Sequence, residues 1–459
     1  MSTANTEIDT SVPSAGIPEW VRINFEALEN SLNGNKTKPI HKVRKQALEL
    51  LKLKGLPTPK DEEWKYTNIS EVSSKNFKLN QASSKLKLDD ISKYLIAGND
   101  AHRLVFVDGR FTSELSNLEL GNEAVKGLSL SSLNSALENA AQFKDYYSSI
   151  SLDGKDFATD LAIVALNTAF ANEGLAINVS GGTKIEKSIQ LLFVTTAKEE
   201  GVFSPARVLI NAAKGSSIDV VESHVALGEK YYLSAPLTEI NIAENAEVNF
   251  YKIGSENQAS YHLGNIILKQ ERDSRSNIML FTLGGKIVRN EVHLKLNGNN
   301  CNAMINGLSV LSGQQHVDNH TVIDHAMPNS ESREKIKGIY ADKSKGVFNG
   351  TIIVREDAQK TNAYQSNQTI LLSKDATIDT KPQLKIWADD VKCTHGATVG
   401  QLDDNAMFYL RSRGIEKNTA RNMLVHAFAS EIFSEIKEES LKVHLETLLS
   451  DKLNLIEAQ

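Results

Sequence analysis

The middle of the chain, residues 177–399, consists of short runs of alternating apolar and polar residues separated by Gly, Asn, Asp and Ser. Such runs are typical of β-strands, and no long helical pattern interrupts them. Two segments repeat a turn and a strand in the same register 30 residues apart, AAKGSSIDVVE (212–222) and IAENAEVNFYK (242–252). A repeat of this length is typical of stacked rungs. The pattern therefore favours a β-solenoid, with a β-sandwich as the alternative.

A chain of 459 residues is too long for one ordinary core, so several structural units are expected. Apolar residues follow helical spacing in several segments outside the strand-rich region, including 130–148 and 157–173. Residues 1–18 are small and polar, which is typical of disorder. These patterns predict four parts: a disordered N-terminus at 1–18, a helical region at 19–175, the β-rich core at 176–402 and a helical region at 403–459.

Charge and hydropathy exclude several classes of partner. The net charge of −6 gives no electrostatic reason to expect nucleic acid. No apolar run reaches the roughly 18 residues that a membrane-spanning helix needs. Residues 1–20 lack the charged-then-apolar plan of a secretory signal and are poor in Arg, unlike an organelle transit peptide. We therefore expect a cytoplasmic protein with no membrane or nucleic-acid partner.

Cys393 and His395 stand two residues apart, in the only place where a cysteine closely neighbours a histidine. On an extended strand their side chains would share a face, roughly 6–7 Å apart at the backbone. Both are ligands suited to iron, zinc or copper. Two ligands do not complete a metal site. An Fe–S cluster takes about four ligands, and the chain has only two cysteines, so a second subunit must supply the rest of any cluster site. A buried structural Cys beside a hydrogen-bonded His is the alternative.

The run HVDNHTVIDH (316–325) places three histidines within ten residues. On a strand, His316, His320 and the two aspartates at 318 and 324 share one face, while His325 points to the other. A three-histidine zinc site would need a bend or a bulge in that strand. We therefore interpret the run as a polar ladder on stacked rungs.

Sequence signatures of common catalytic sites are missing. The chain contains no G-x-x-x-x-G-K-[ST], which argues against ATP binding through a P-loop. It also contains no G-x-S-x-G, no H-E-x-x-H and no C-x-x-C. The pattern favours a scaffold over an enzyme.

Motifs at both ends of the chain resemble those of the SufB/SufD family, scaffold subunits of an iron–sulfur cluster assembly machine. One is DEEWKY (61–66), and the other is the stretch 387–415, which contains KCTHGATVG. A third, ALNTAFANEGLAINV (165–179), resembles the family where its helical region gives way to strands. SufB-type chains carry a cysteine in the strand that corresponds to QSNQTI (365–370), which has none here. The chain therefore resembles the SufD-type branch.

The resemblance implies a right-handed parallel β-helix core flanked by N-terminal and C-terminal α-helical regions. It also implies a non-catalytic subunit that pairs with a SufB-type partner through its last rungs, while the isolated chain could form a homodimer. No cofactor would be bound stably by this chain alone; iron or a transient Fe–S cluster would be shared with SufB at a junction that includes Cys393 and His395. A SufC-type ABC ATPase would dock on the C-terminal helical region, on or near Phe408, Tyr409, Leu410, Arg411, Arg413 and Gly414.

A carbohydrate-active β-helix enzyme, a lyase or a hydrolase, is the alternative from another class. Its groove would need carboxylates, which Asp318, Asp324, Asp342, Asp389 and Asp390 could supply. Against it, aromatic residues make up only 6% of the chain, whereas sugar clefts favour aromatic platforms, and a secretion signal is missing.

Overall fold

The computed structural model describes residues 16–32, 37–80, 84–96, 101–138 and 161–457. The predicted disordered segment 1–18 lies almost wholly outside these residues, as do 139–148 and 157–160 of two predicted helical segments.

Strands dominate the middle of the chain and helices lie towards its two ends. The strands are β1 (Lys78–Leu79), β2 (His102–Val107), β3 (Arg110–Phe111), β4 (Gly121–Val125), β5 (Leu128–Ser132), β6 (Gly174–Val179), β7 (Ile189–Thr195), β8 (Val202–Ser204), β9 (Arg207–Ala212), β10 (Ser217–Ala226), β11 (Tyr232–Ser234), β12 (Leu237–Ile242), β13 (Glu247–Ser255), β14 (Tyr261–Gln270), β15 (Arg275–Thr282), β16 (Ile287–Leu296), β17 (Asn302–Leu311), β18 (His316–His325), β19 (Glu331–Tyr340), β20 (Lys345–Val354), β21 (Asn362–Leu371), β22 (Thr377–Ile386) and β23 (Lys392–Gly400). The helices are α1 (Glu19–Ser31), α2 (Pro39–Lys54), α3 (Ser70–Ser74), α4 (Leu88–Ile91), α5 (Leu133–Glu138), α6 (Leu161–Ala169), α7 (Asp404–Ser412), α8 (Lys417–Phe433) and α9 (Glu439–Glu457).

The strands form a parallel β-solenoid in which successive strands alternate between two sheets. The first sheet runs β22-β20-β18-β16-β14-β12-β9-β6-β5-β4, and the second runs β23-β21-β19-β17-β15-β13-β10-β7-β2-β3. The predicted 30-residue repeat is the interval between paired residues of neighbouring rungs, as in Glu222 beside Lys252. The predicted mainly β fold with a solenoid core is therefore confirmed. The N-terminal region predicted as helical also contributes strands, β1 to β6.

Residues in the left-handed conformation form one corner of the solenoid. Asn245, Asp273, Asn300 and Asn329 have φ values of 58° to 60°. In each, the backbone N–H donates to a carbonyl in the corner of the next rung, for example from Asn245 to the oxygen of Arg272 at 3.0 Å. Asn and Asp tolerate this backbone conformation better than other non-glycine residues. This preference explains why Asn and Asp occur between the predicted strands.

Apolar side chains from the inner faces of both sheets fill most of the solenoid, including Ile278, Leu280, Val292 and Leu294. The outer face of the first sheet is covered by α1, α2 and α6. The outer face of the second sheet is covered by α8 and α9, whose apolar residues pack on strands from β10 to β19. No helix among the described residues has both the length and the apolar character to cross a bilayer.

The two ends of the solenoid differ. At the N-terminal end, β3 adds to β2 in the antiparallel sense, and β5 and β4 add to β6 in the same way. At the C-terminal end, β22 and β23 are the outermost strands of their sheets in the described part of the chain. Most side chains of β23 are exposed. The solenoid therefore ends in short reversed strands on one side and in the longer parallel strands β22 and β23 on the other, which we call its open end.

Candidate functional site

Cys393 and His395 lie on β23, at the open end of the second sheet. Cys393 pairs in register with Ala363, and His395 pairs with Gln365. Cys393 packs against an apolar cluster that includes Ala363 and Ile352, which places it on the inner face of the sheet. Strand alternation puts His395 on the same face, where it is exposed because no further rung covers it within the described residues.

The environment of Cys393 keeps its thiol protonated. Partial burial raises the pKa of Cys393. A hydrogen bond with the backbone of Ala363 lowers it, but by less. The other cysteine, Cys301, is only 1% exposed, and burial raises the pKa of its thiol as well. Only Cys393 is therefore accessible to an incoming ion, and it needs a nearby positive charge to become a thiolate.

The open end also exposes large apolar side chains. Trp387 is 61% exposed where β22 ends, and Ile386 and Val399 on the outermost strands are 38% and 49% exposed. The free backbone groups of an edge strand together with exposed apolar residues form a surface suited to pairing with another chain.

Helix α7 follows shortly after β23 and carries four of the predicted ATPase-docking residues, while Arg413 and Gly414 come directly after its end. Asp403 caps the helix by accepting from the backbone N–H of Asn405 at 2.8 Å. The side chains of Phe408 and Tyr409 are 75% and 57% exposed. Leu410 is half-buried, whereas Arg411, Arg413 and Gly414 are exposed. The helix therefore presents two aromatic rings to solvent, which is unusual for a surface without a partner.

The DEEWKY motif forms a latch over the histidine run, and we call residues 61–67 the N-terminal latch. Trp64 is 2% exposed, and the guanidinium carbon of Arg289 lies 4.1 Å from the centre of its ring. Arg289 also donates to the backbone oxygen of Glu63 at 3.0 Å. Thr67 Oγ1 donates to Asp318 at 2.6 Å and lies 2.9 Å from His316 Nε2. The motif thus ties the N-terminal region to β16 and β18.

The histidine run behaves as a polar ladder. His316 and Asp318 face the latch on the outer side, and Arg289 Nη2 lies 2.7 Å from His320 Nδ1 on the same side. His325 points the other way and lies 2.8 Å from Ser332 Oγ. No three metal-ligating side chains converge in the described part of the chain, here or elsewhere.

Two of the five aspartates considered for a carbohydrate-active enzyme are held in ion pairs. Asp318 lies 2.5 Å from Arg289, and Asp324 lies 2.6 Å from Arg355. Both aspartates are 2% exposed. Both are buried in contact with an arginine, so they do not line an open acidic groove.

Sequence reasoning missed a buried ionic cluster between the sheets, which we call the interior ionic cluster. Its members come from β10, β11, β13, β14 and the turn before β14: Glu222, His224, Tyr232, Lys252, Glu256 and His262. Glu222 lies 2.8 Å from His224, and Glu256 lies 2.8 Å from His262. The sequence contained one signal for this cluster. The 30-residue repeat aligns Glu222 with Lys252, and stacked rungs place aligned residues side by side.

The cluster shifts the pKa of each of its carboxyls. Burial alone would raise the pKa of Glu222, but the hydrogen bond and charge of His224 and the charge of Lys252 lower it to about 2. The charge of His262 likewise outweighs burial and lowers the pKa of Glu256 to about 2. Burial lowers the pKa of Lys252 even though both carboxylates favour its charged form. Burial lowers the pKa of His262 to about 4, so at neutral pH the two carboxylates depend on the charge of Lys252 for compensation.

Two family models match adjoining parts of the chain. Residues 22–191 match the SufBD protein N-terminal region, and residues 193–428 match the SufBD core domain of the SUF system for FeS cluster assembly. The second match spans the open end, Cys393 and His395, and α7.

Several known proteins are similar to this chain over nearly their whole length. The iron–sulfur cluster assembly protein SufD of Escherichia coli is 32% identical over 443 residues, which cover 96% of this chain and 97% of that protein. An iron–sulfur cluster assembly SufBD family protein of Synechocystis is 31% identical, covering 89% of this chain and 90% of that protein. Protein ABCI7, chloroplastic, of Arabidopsis thaliana is 28% identical, covering 96% and 92%.

Proposed function

The chain belongs to the SufBD family, and from this premise we propose that it is a non-hydrolytic scaffold subunit in iron–sulfur cluster assembly. The observation that carries the proposal is the open end of the solenoid. There Cys393 and His395 share one face of an outermost strand, with exposed apolar residues beside them. The E. coli and Synechocystis relatives are both named as cluster assembly proteins.

The proposed partner at the open end is a SufB-type chain that adds its own last strands to β22 and β23. Edge strands offer unpaired N–H and C=O groups, and strand addition satisfies them while it buries Trp387 and Val399. Cys393 and His395 supply two ligands, so the remaining ligands for iron or a cluster would come from that partner. Iron or the growing cluster is cargo at this junction, shared between the two chains, and this chain alone holds no stable cofactor.

The chemistry of the two ligands sets an order of events at the junction. The imidazole of His395 is exposed and binds a metal ion in its neutral form. The thiol of Cys393 is half-buried with a raised pKa, so it loses its proton only when a cation arrives nearby. We propose that His395 receives iron first and that the bound charge then generates the Cys393 thiolate.

The replacement His395→Ala tests this role in a complex co-expressed with SufB-type and SufC-type partners. We expect the complex to assemble normally and its affinity for iron to fall about 10- to 100-fold, as for other losses around a metal site. Iron per complex, measured by mass spectrometry, is the readout. Thr394→Ala is the matched control, because Thr394 is exposed on the opposite face of the same strand. Normal iron content in the His395 variant would contradict its proposed role.

We propose that a SufC-type ABC ATPase docks on α7 through its two exposed aromatic rings. Buried aromatic anchors dominate binding energy at interfaces, so Phe408→Ala should weaken binding by about 2–4 kcal/mol, or roughly 30- to 1,000-fold in Kd. Calorimetric titration of the chain with the ATPase measures this. The control is Val443→Ala, which removes an apolar side chain that is 52% exposed on α9. Equal affinities for wild type and the Phe408 variant would place the docking surface elsewhere.

The composition of the complex tests the proposal as a whole. Co-expression followed by size-exclusion chromatography with mass determination should give one SufB-type chain, one copy of this chain and two ATPase subunits. A chain that elutes alone in the presence of both partners would refute the scaffold role.

A further inference from the structure

A carboxyl group lies inside the solenoid close to its open end. Glu334 is fully buried on the inner face of β19, in register with Gln365, which is in turn in register with His395. Gln365 is also fully buried and donates from Nε2 to Glu334 Oε2 at 2.7 Å. Neighbouring strands are about 4.8 Å apart, so the backbones of Glu334 and His395 are separated by about 10 Å. One amide side chain therefore separates the buried acid from the exposed end.

Among the described residues, no charged side chain compensates the carboxyl group of Glu334. The neighbour before it in the sheet is Ile305, and on β19 it stands between Ser332 and Ile336 on the inner face. Thr321 on β18 faces it from the opposite sheet, and burial is the main cause of the raised pKa of Glu334.

Other charged groups are directed elsewhere. Lys335 follows Glu334 on β19 but points to the outer face, where it pairs with Glu431 at 2.5 Å. His325 lies 2.8 Å from Ser332 Oγ, and burial lowers its pKa to about 4, so it is neutral at physiological pH. Glu334 Oε1 and Gln365 Oε1 are buried without a hydrogen-bond partner among the described residues. An uncompensated buried carboxylate is costly, so structural stability gives no reason for an acid here.

We propose that Glu334 is a proton-exchange site whose protonation responds to charge arriving at the open end of the solenoid. A cation held at His395 favours the carboxylate, and the proton leaves Glu334 for the surrounding buffer. When the cation departs, the carboxyl takes a proton back. The site therefore offsets part of the charge at the solenoid end while a cation is received and passed on. The metal-dependent part of this inference rests on the proposed function.

The energetics suit this exchange. Burial raises the pKa of Glu334 to about 7, opposed by the hydrogen bond from Gln365, so both protonation states are populated at neutral pH. A divalent charge about 10 Å away, at an effective dielectric constant of about 20, lowers such a pKa by about two units. At pH 7 this change releases about half a proton per bound ion.

Infrared spectroscopy of the full chain tests the site directly. The protonated carboxyl band that is present in wild type and missing in Glu334→Gln should disappear as pH rises, with a midpoint near pH 7. Ala397→Lys should lower this midpoint and Ala397→Asp should raise it, each by about half a unit or more. Ala397 lies on β23, on the same face as His395 and exposed. Glu331→Gln, exposed on the same strand as Glu334, is the control and should leave the band unchanged.

Addition of Co²⁺ to the three-subunit complex tests the coupling to metal. Calorimetry in buffers of different ionisation enthalpy should show about half a proton more released per ion at pH 7 in wild type than in Glu334→Gln. A band that is unaffected by the Ala397 substitutions would overturn the inference. If Co²⁺ does not bind the wild-type complex, the proposed iron site fails, and the Ala397 variants still decide the inference about Glu334.

Discussion

Trp64→Ala is expected to reduce the free energy of unfolding by about 3–5 kcal/mol, the range for removing a large aromatic side chain from a core. Trp64 is 2% exposed and belongs to the cluster in which α1, α2 and α6 pack on the first sheet. Its loss also removes the ring that covers the guanidinium of Arg289. The N-terminal latch should therefore detach before the solenoid unfolds.

Thermal unfolding and limited proteolysis together measure this effect. The variant should show a lower first transition and faster cleavage within the N-terminal region, while the solenoid transition changes little. Lys65→Ala is the matched control, because Lys65 is the exposed neighbour in the same latch. A Trp64 variant that resists protease as well as the control does would show that the latch contributes little to stability.

Lys252→Met is expected to destabilise the chain by about 3–5 kcal/mol at neutral pH, as when one partner of a buried ion pair is removed. Lys252 is 4% exposed and is the cation that favours ionisation of both Glu222 and Glu256. Methionine keeps much of its volume but leaves the two carboxylates with less compensation. The effect should thus exceed that of Lys230→Met, where the replaced side chain is 54% exposed in a surface ion pair.

The effect of Lys252→Met should depend on pH with a defined sign. Glu222 and Glu256 have pKa values of about 2 in the folded chain, below the ordinary value of 4.5. Their contribution to stability is therefore present above pH 4.5 and is lost as pH falls towards 2. Without Lys252 these pKa values rise, so the difference in stability between wild type and variant should be largest at neutral pH and shrink in acid. Thermal unfolding from pH 3 to pH 8 measures it, and a difference that grows in acid would contradict the assigned charges.

The parts of the fold that follow from local periodicity could be predicted from the sequence. The interval between the two 30-residue repeats is the interval between stacked strands, because each rung repeats the same turn and strand. The shared face of His316 and Asp318 followed from strand alternation alone. Neither prediction required knowledge of distant contacts.

The features that depend on distant contacts could not be predicted in this way. The latch had no visible chemistry in the sequence, because its partner Arg289 lies far along the chain. The segment 130–148 was predicted as helical, but residues 128–132 form β5, and the helix begins only at Leu133. There Leu128 and Leu130 join the core between the sheets, and pairing with β6 overrides the local helical spacing.

The unequal ends of the solenoid make this chain the equivalent of a monofunctional monomer in polymer chemistry. Reversed strands β3 to β5 occupy one end, and the open rungs of β22 and β23 occupy the other. A rod with two open ends would add copy after copy into a filament. A rod with one open end reacts once, with a second copy or with a related chain, and growth then stops. On the proposed function, the reversed strands would act as a chain terminator, and joining through the open ends would yield a pair.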